Sequence, residues 1–316
     1  MPSTASPFEA RGPYAVGAIQ TQIDSPSDSL DPRRTLPCEI WYPAMGPAAR
    51  KYDAPHPLSM PHLASLDIAP ITTPCGLIAF SHGNSGFRQQ STFLTTHLAS
   101  WGFVVVAPDH VGNTFPEMLG IKDEEKRKAL HLRARTQRPQ DLAQAIRALL
   151  DEDLHAEGLP PLDSDRLGVL GHSFGGWTAL KVPALERRTK SVCALAPASE
   201  PFVGRKAFEP NELPLSDSLE SLVLAARQDV LVDLETSILP LVARLGSNNR
   251  LEIIDGADHF HFCDGLELLH KMHENTPRTG QKRPTTPLAD LQGERTMHTW
   301  LNERIARFFH STLDGA

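Results

Sequence analysis

The chain has 316 residues, 40% of them hydrophobic and 22% charged, which is enough apolar side chain for a sizeable core and excludes a disordered or collagen-like polymer. Its formal charge of -7 is spread without a basic run, which argues against a nucleic-acid partner. No apolar run is long enough for a transmembrane helix, and "MPSTASPFEARGPYAVG" lacks a basic-then-apolar leader, so a soluble, cytoplasmic protein is expected.

Short apolar runs alternate with longer amphipathic stretches, as in a mainly parallel sheet covered by helices. "PYAVGAIQTQI" and "PCEIWYPA" read as two early strands separated by the turn-rich "DSPSDSLDPRR". After a Pro-rich segment, "GLIAFSHG" and "FVVVAPDH" read as buried strands, with the helix "QQSTFLTTHLASWG" between them closed by Gly102. "RPQDLAQAIRALLDED" is expected to be the next helix, because Leu142, Ile146, Leu149 and Leu150 share one face. Four more strands follow in "RLGVLGHS", "SVCALAP", "SLVLAARQD" and "RLEIIDGADH", and "RTMHTWLNERIARFFHSTL" closes the chain as an amphipathic helix. One domain spanning 1–316 is expected. Residues 111–137 and 198–217 read as lid or pocket insertions, and 264–293 as an irregular excursion before the last helix.

The four cysteines lie far apart, with no C-x-x-C, so neither a zinc ribbon nor a redox pair is suggested; Cys193 in "SVCALA" reads as a buried thiol. The chemistry centres on "RLGVLGHSFGGWTAL". Gly171-His172-Ser173-Phe174-Gly175 sits between an apolar strand and a helix-competent stretch, the context of a serine on a tight strand-to-helix turn. A serine hydroxyl needs a base to take its proton. In such sheets an acid and then a histidine follow the serine, and Asp229 after "SLVLAA" and His259 in "GADHFHF" fit that order. Asp233 and His261 are the rivals, while Asp255 and Asp258 read as turn formers. The oxyanion of the intermediate requires two backbone donors. Phe174, after the serine, and Asn84, in the loop Ser81-His82-Gly83-Asn84-Ser85-Gly86, are the candidates, with His82 bracing that loop. Phe87, Phe115 and Phe260 are candidate lining residues of the substrate pocket. Asp258, His259, His261, Cys263 and Asp264 crowd together as zinc ligands might, but no second ligand cluster accompanies them, so no metal is expected.

"TLPCEIWYPA", "LIAFSHGNSGFRQQ", "VVVAPDHVGN", "RPQDLAQAI", "GHSFGG", "RQDVLV" and "GADHFHF" occur in the order seen in α/β-hydrolases. The chain resembles the branch holding platelet-activating-factor acetylhydrolase-like and dienelactone-hydrolase-like proteins, with "WYPA" and "FSHGNSGFR" pointing to the acetylhydrolase-like side. The resemblance implies an α/β-hydrolase fold with lid-like insertions, and a serine carboxylesterase that acts on a small-molecule ester without a cofactor. It implies Ser173, Asp229 and His259 as the triad and the N–H groups of Asn84 and Phe174 as oxyanion donors. Dienelactone hydrolases proper use a cysteine nucleophile where this chain has Ser173, which argues against that substrate. The same triad would also serve a lactone, a polyester or phthalate fragment, an amide, an acyltransferase or a perhydrolase. A catalytically silent binder on this fold is the non-enzyme alternative, and it commonly loses a catalytic residue that this chain retains.

Overall fold

The structure is a computed structural model that describes residues 6–26, 34–47, 52–152, 154, 158–199, 207–213, 215–275 and 283–314. Among them, the Val-, Ile- and Leu-rich runs form nine strands of one sheet: β1 (Ala15–Asp24), β2 (Thr35–Ala44), β3 (Ser65–Leu66), β4 (Cys75–Ser81), β5 (Val104–Pro108), β6 (Leu162–His172), β7 (Thr189–Leu195), β8 (Glu220–Ala226) and β9 (Asn249–Ile254). The spatial order is β3-β1-β2-β5-β4-β6-β7-β8-β9. β1 pairs antiparallel with β2 and β2 with β5, whereas every pairing from β5 through β4 to β9 is parallel. This is the mostly parallel, helix-covered sheet that the sequence predicts.

Successive strand residues face opposite sides of a sheet, and helices must cover both. Leu77, Ala79, Val104, Val106, Val169 and Val192 pack on one side beneath α3 (Glu124–Leu150) and α4 (Phe174–Lys181). Ile78, Phe80, Val105, Leu170 and Cys193 pack on the other beneath α1 (Thr92–Ser100) and α7 (Glu294–Leu313). The short α2 (Phe115–Met118) and α5 (Leu239–Val242) and the longer α6 (Leu266–Asn275) complete the helices. Among the described residues no helix is long and apolar enough to cross a membrane.

Two expectations need correction. The charged stretch within 111–137 is not separate from the helix that follows it. From Asp123, whose carboxylate accepts the Lys126 N–H (3.0 Å), α3 runs 27 residues straight through Pro139. Proline costs one backbone bond, but buried Ala134, Arg138, Asp141 and Leu142 hold this face against the sheet, and that packing prevails. Within 264–293, the first part is regular: α6 begins where Glu294 Oε1 accepts the N–H groups of Gly265 (2.9 Å) and Leu266 (3.2 Å). Residues 276–282 of that stretch lie outside the described residues, as do 200–206 and 214 of the segment 198–217. In the described remainder of 198–217, Phe208 and Leu213 are buried and the Ala207 carbonyl accepts Trp177 Nε1–H (2.8 Å), while Glu209, Pro210, Asn211, Ser216 and Asp217 are exposed.

One side chain in the sheet is held at odds with neutral pH. Glu39 on β2 is fully buried and faces Arg88, Gln20, His62, His56 and Asp109. His62 Nε2, 3.4 Å away, already accepts the Trp41 indole N–H (2.6 Å), so it has no proton to offer Glu39. Arg88 is committed to Asp109 at 2.6 Å and lies 3.7 Å from Glu39. Burial, only partly countered by Arg88, pushes the Glu39 carboxyl up to about 7. A carboxyl raised on folding contributes stability below its unfolded value that is lost as pH rises through the folded value. Glu39→Gln should therefore match wild type near pH 5 and exceed it near pH 8 by on the order of 2–3 kcal/mol, read from urea midpoints. An offset independent of pH would contradict this.

Candidate active site

The serine stands where β6 meets α4, with φ 59° and ψ -118°. Such a backbone is strained for a residue with a Cβ, and it lifts the side chain out of both elements. It is held from both sides: Ser173 N–H donates to Leu195 O (2.8 Å), and its carbonyl accepts from Ala198 N (2.8 Å) and Trp177 N (3.1 Å). The flanking glycines are sterically required. A Cβ on Gly171 would lie 2.1 Å from Gly175 O, and one on Gly175 would lie 1.9 Å from Ser81 O.

Asp229 follows β8 and is fully buried. One carboxylate oxygen accepts the N–H groups of Leu231 (2.7 Å) and Val232 (2.8 Å), and the other is 2.6 Å from His259 Nδ1. That contact puts the ring proton on Nδ1 and leaves Nε2 unprotonated. His259 opens a 3-10 turn, His259–Phe262, after β9. The turn is fastened by Asp258, which accepts from Phe260 N (2.9 Å), His261 Nδ1 (2.8 Å) and His270 Nδ1 (2.7 Å). Burial works against the Asp258 carboxylate, but the His261 bond and charge outweigh it and hold the group below its usual range. His261 is raised in turn, Asp258 outweighing the effect of burial. The rivals are thus occupied elsewhere: His261 also bonds Gln292 O (3.0 Å), and Asp233 caps the turn Leu234–Ile238 through Thr236 N (3.0 Å). Asp264 ends the same loop and accepts from Thr92 N (2.6 Å) and Phe93 N (3.1 Å), fixing it to the start of α1.

The loop after β4 is tied to the serine turn by Gln90, which accepts Gly83 N–H (2.9 Å) and donates to His172 Nδ1 (3.0 Å). Burial, with His259 next, drives the His172 pKa well down, so this ring stays neutral 4.5 Å from the His259 ring. A second cation there would oppose the imidazolium. Among the described residues, the N–H groups of Asn84 and Phe174 have no acceptor. Asn84 Oδ1 accepts from Asn113 Nδ2 (2.9 Å), while His82 bridges Gly83 O (2.8 Å) and His110 N (3.0 Å) and so braces the loop.

Beside them lies a cavity of about 280 Å³ whose walls include Asn84, Phe87, Phe115, Ser173, His259 and Phe260. Among the described residues no hydrogen bond joins Ser173 Oγ to His259, although both face this space. The sequence reading missed the wall made by α6 (Leu268, Leu269, Met272 and His273), together with Leu58 and Leu231. The buried Leu266, His270 and His273 recur at helical spacing, a signal masked by the Pro- and Gly-rich stretch just beyond. Cys263 also borders the cavity, and burial holds its thiol protonated, well above the usual range, which disfavours it as a nucleophile.

The sheet order, the helices on both faces and the serine turn after β6 are those of the α/β-hydrolase fold. A ferulic acid esterase from Streptomyces cinnamoneus superposes with a TM-score of 0.68 at 23% identity, covering 99% of this chain and 93% of that one. Residues 69–202 match the family "Platelet-activating factor acetylhydrolase, isoform II". The platelet-activating factor acetylhydrolases of Canis lupus familiaris and Bos taurus are 30% and 28% identical over 155 and 151 residues, 38% of this chain in each case. The match spans 34% of the length of each of these relatives. The chain is therefore an α/β-hydrolase-fold protein similar to the platelet-activating-factor acetylhydrolase-like branch, and the family match takes in the loop after β4 and the serine turn.

Gly175→Ala forces a methyl group into the Ser81 carbonyl. It should lower stability by at least about 3 kcal/mol or abolish soluble folding. An unchanged urea midpoint would contradict this packing.

Proposed function

We propose that the protein is a carboxylic ester hydrolase working through Ser173, His259 and Asp229. The observation that carries this reading is the 2.6 Å contact of buried Asp229 with His259 Nδ1, beside a serine raised on a strained turn into the same cavity. The names of the similar proteins, acetylhydrolase and ferulic acid esterase, support an ester as substrate.

In this mechanism Ser173 Oγ attacks the ester carbonyl while His259 Nε2 takes its proton. Asp229 holds the imidazole tautomer and stabilises the imidazolium. The developing oxyanion is met by the N–H groups of Asn84 and Phe174, which have no other acceptor among the described residues. The alcohol leaves with the proton from His259, an acyl group stays on Ser173, and water activated by His259 releases the acid. A cavity of about 280 Å³ lies at the small end for ligand sites, which favours a short acyl group. Phe87, Phe115 and Phe260 would line its path, with α6 as the opposite wall.

Ser173→Ala should abolish turnover of 4-nitrophenyl esters with the fold intact, whereas wild type should show a burst of nitrophenol and a kcat/KM optimum at two to four acyl carbons, at least about tenfold above a twelve-carbon ester. Full activity in the variant would sink the assignment. Asp229→Asn should lower kcat by about 10⁴-fold while Asp233→Asn leaves it within a few-fold. The reverse pattern would transfer the acid's role to Asp233.

A further inference from the structure

Beneath the loop after β4 lies a guanidinium that the proposed mechanism does not use. Arg138, on α3, is fully buried, and among the described residues it has no carboxylate within ion-pair distance. The nearby Asp141 is claimed by Arg34, which donates from both terminal nitrogens, by Ser25 Oγ (2.9 Å) and by His110 Nδ1 (3.0 Å). The neighbouring rings His82 and His110 are neutral. Burial, followed by the Arg138 charge, drives both well below the usual imidazole range. Arg34, Asp141 and Arg138 together thus leave one uncompensated positive charge in the interior. A buried cation without a counter-ion is costly, and a fold retains one where something nearby gains from its field.

The donors of Arg138 show where that field is directed. Nη1 donates to Asn113 Oδ1 (2.7 Å) and to Gly83 O (3.3 Å), Nη2 to Ser81 Oγ (3.2 Å) and His82 O, and Nε to Thr178 Oγ1 (3.3 Å). The guanidinium carbon also lies 4.6 Å from the centre of the Phe174 ring. Gly83 O belongs to the same peptide unit as the Asn84 N–H. That carbonyl accepts from Arg138, from Gly86 N (3.2 Å) and from His82 Nδ1 (2.8 Å). His82 must carry its proton on Nδ1, because its Nε2 accepts the His110 N–H (3.0 Å). Three donors on one carbonyl withdraw electron density across the peptide and sharpen the N–H at its other end. Asn113, gripped by Arg138, in turn donates to Asn84 Oδ1 (2.9 Å) and holds that residue in place.

We infer that Arg138 is a positioning residue for the oxyanion site: through Gly83 O and Asn113 it orients and polarises the 83–84 peptide, and it supplies the buried positive charge behind the developing oxyanion. This rests on the ester-hydrolase reading above. It predicts an effect on the transition state rather than on ground-state binding, because the charge matters most when the carbonyl oxygen becomes anionic.

The test compares wild type, Arg138→Lys and Arg138→Met with 4-nitrophenyl acetate, each normalised to active sites titrated by a fluorophosphonate. Arg138→Met should lower kcat about 100-fold with KM changed less than about twofold, and Arg138→Lys should recover part of the loss. In the adduct with a carbonyl-¹³C-labelled trifluoromethyl ketone, the hemiketal oxyanion should titrate at least about one pH unit higher in Arg138→Met than in wild type. A structural role alone would lower the titrated fraction and leave kcat per site and the hemiketal titration unchanged, and that result overturns the inference. If Arg138→Met does not fold, Asn113→Ala keeps the guanidinium and cuts its tie to Asn84. It should lower kcat per site about tenfold at constant KM, and an unchanged kcat overturns the inference. A wild type that neither titrates nor hydrolyses the ester overturns the ester-hydrolase reading and this one together. A wild type that does both while the variants keep their kcat overturns this one alone.

Discussion

The backbone of Ser173, bent to φ 59° and ψ -118°, is the constraint on which the rest of the site depends. Strain of this kind costs on the order of 1–3 kcal/mol and persists only where the surroundings over-determine it. Here they do, through hydrogen bonds with Leu195, Trp177 and Ala198 and through α4, whose start depends on the bend. The bend brings Gly175 against the end of β4 so closely that no side chain fits between them. The same contact fixes the loop after β4 beside the start of α4, so that Asn84 and Ser173 border one cavity, and among the described residues the N–H groups of Asn84 and Phe174 have no acceptor.

The other half of the site is held by polar ties across long stretches of chain. Asp264 caps α1 from 172 residues away, and Ser91, the helix's own cap residue, turns its hydroxyl to Phe262 O instead. Helix and histidine loop therefore share their ends. Asp258 adds a second anchor through His261 and His270, which also fastens α6 over the cavity. Asp229, Asp258 and Asp264 each have several donors, as burial of charge demands. Arg138 departs from this pattern. Its five donors are used on neutral oxygens, so its charge stays available to the groups above it.

Much of this was legible in the residues, because the sheet and its helices follow local rules. Apolar runs gave every strand of the parallel part, and Gly102, at φ 101°, marks the end of α1 as expected. Ser173, Asp229 and His259 each follow a strand, the positions that chain order and the family resemblance single out over Asp233 and His261. Pro139 misled because a proline at a first turn and one inside a long helix look the same until tertiary packing is known. The helix at Leu266–Asn275 was missed because the turn-rich stretch beyond it dominated the reading. The two-residue β3 carries too short a pattern to stand out. Gln90 and Arg138 were not legible as site residues at all, and Asp264 stood out only in a crowd of zinc-ligand types, not as the cap of α1. Their partners lie 82, 55 and 172 residues away, and no periodicity encodes a hydrogen bond across such distances.

The central claim is that the serine on the turn is a working nucleophile whose base is His259. The most direct measurement is peptide mapping by mass spectrometry after brief exposure to a fluorophosphonate, with wild type and His259→Ala side by side. The account predicts one adduct per chain, on the peptide carrying Ser173, formed far more slowly in the variant. An unlabelled Ser173, a label on another serine, or equal rates in the two proteins would contradict it.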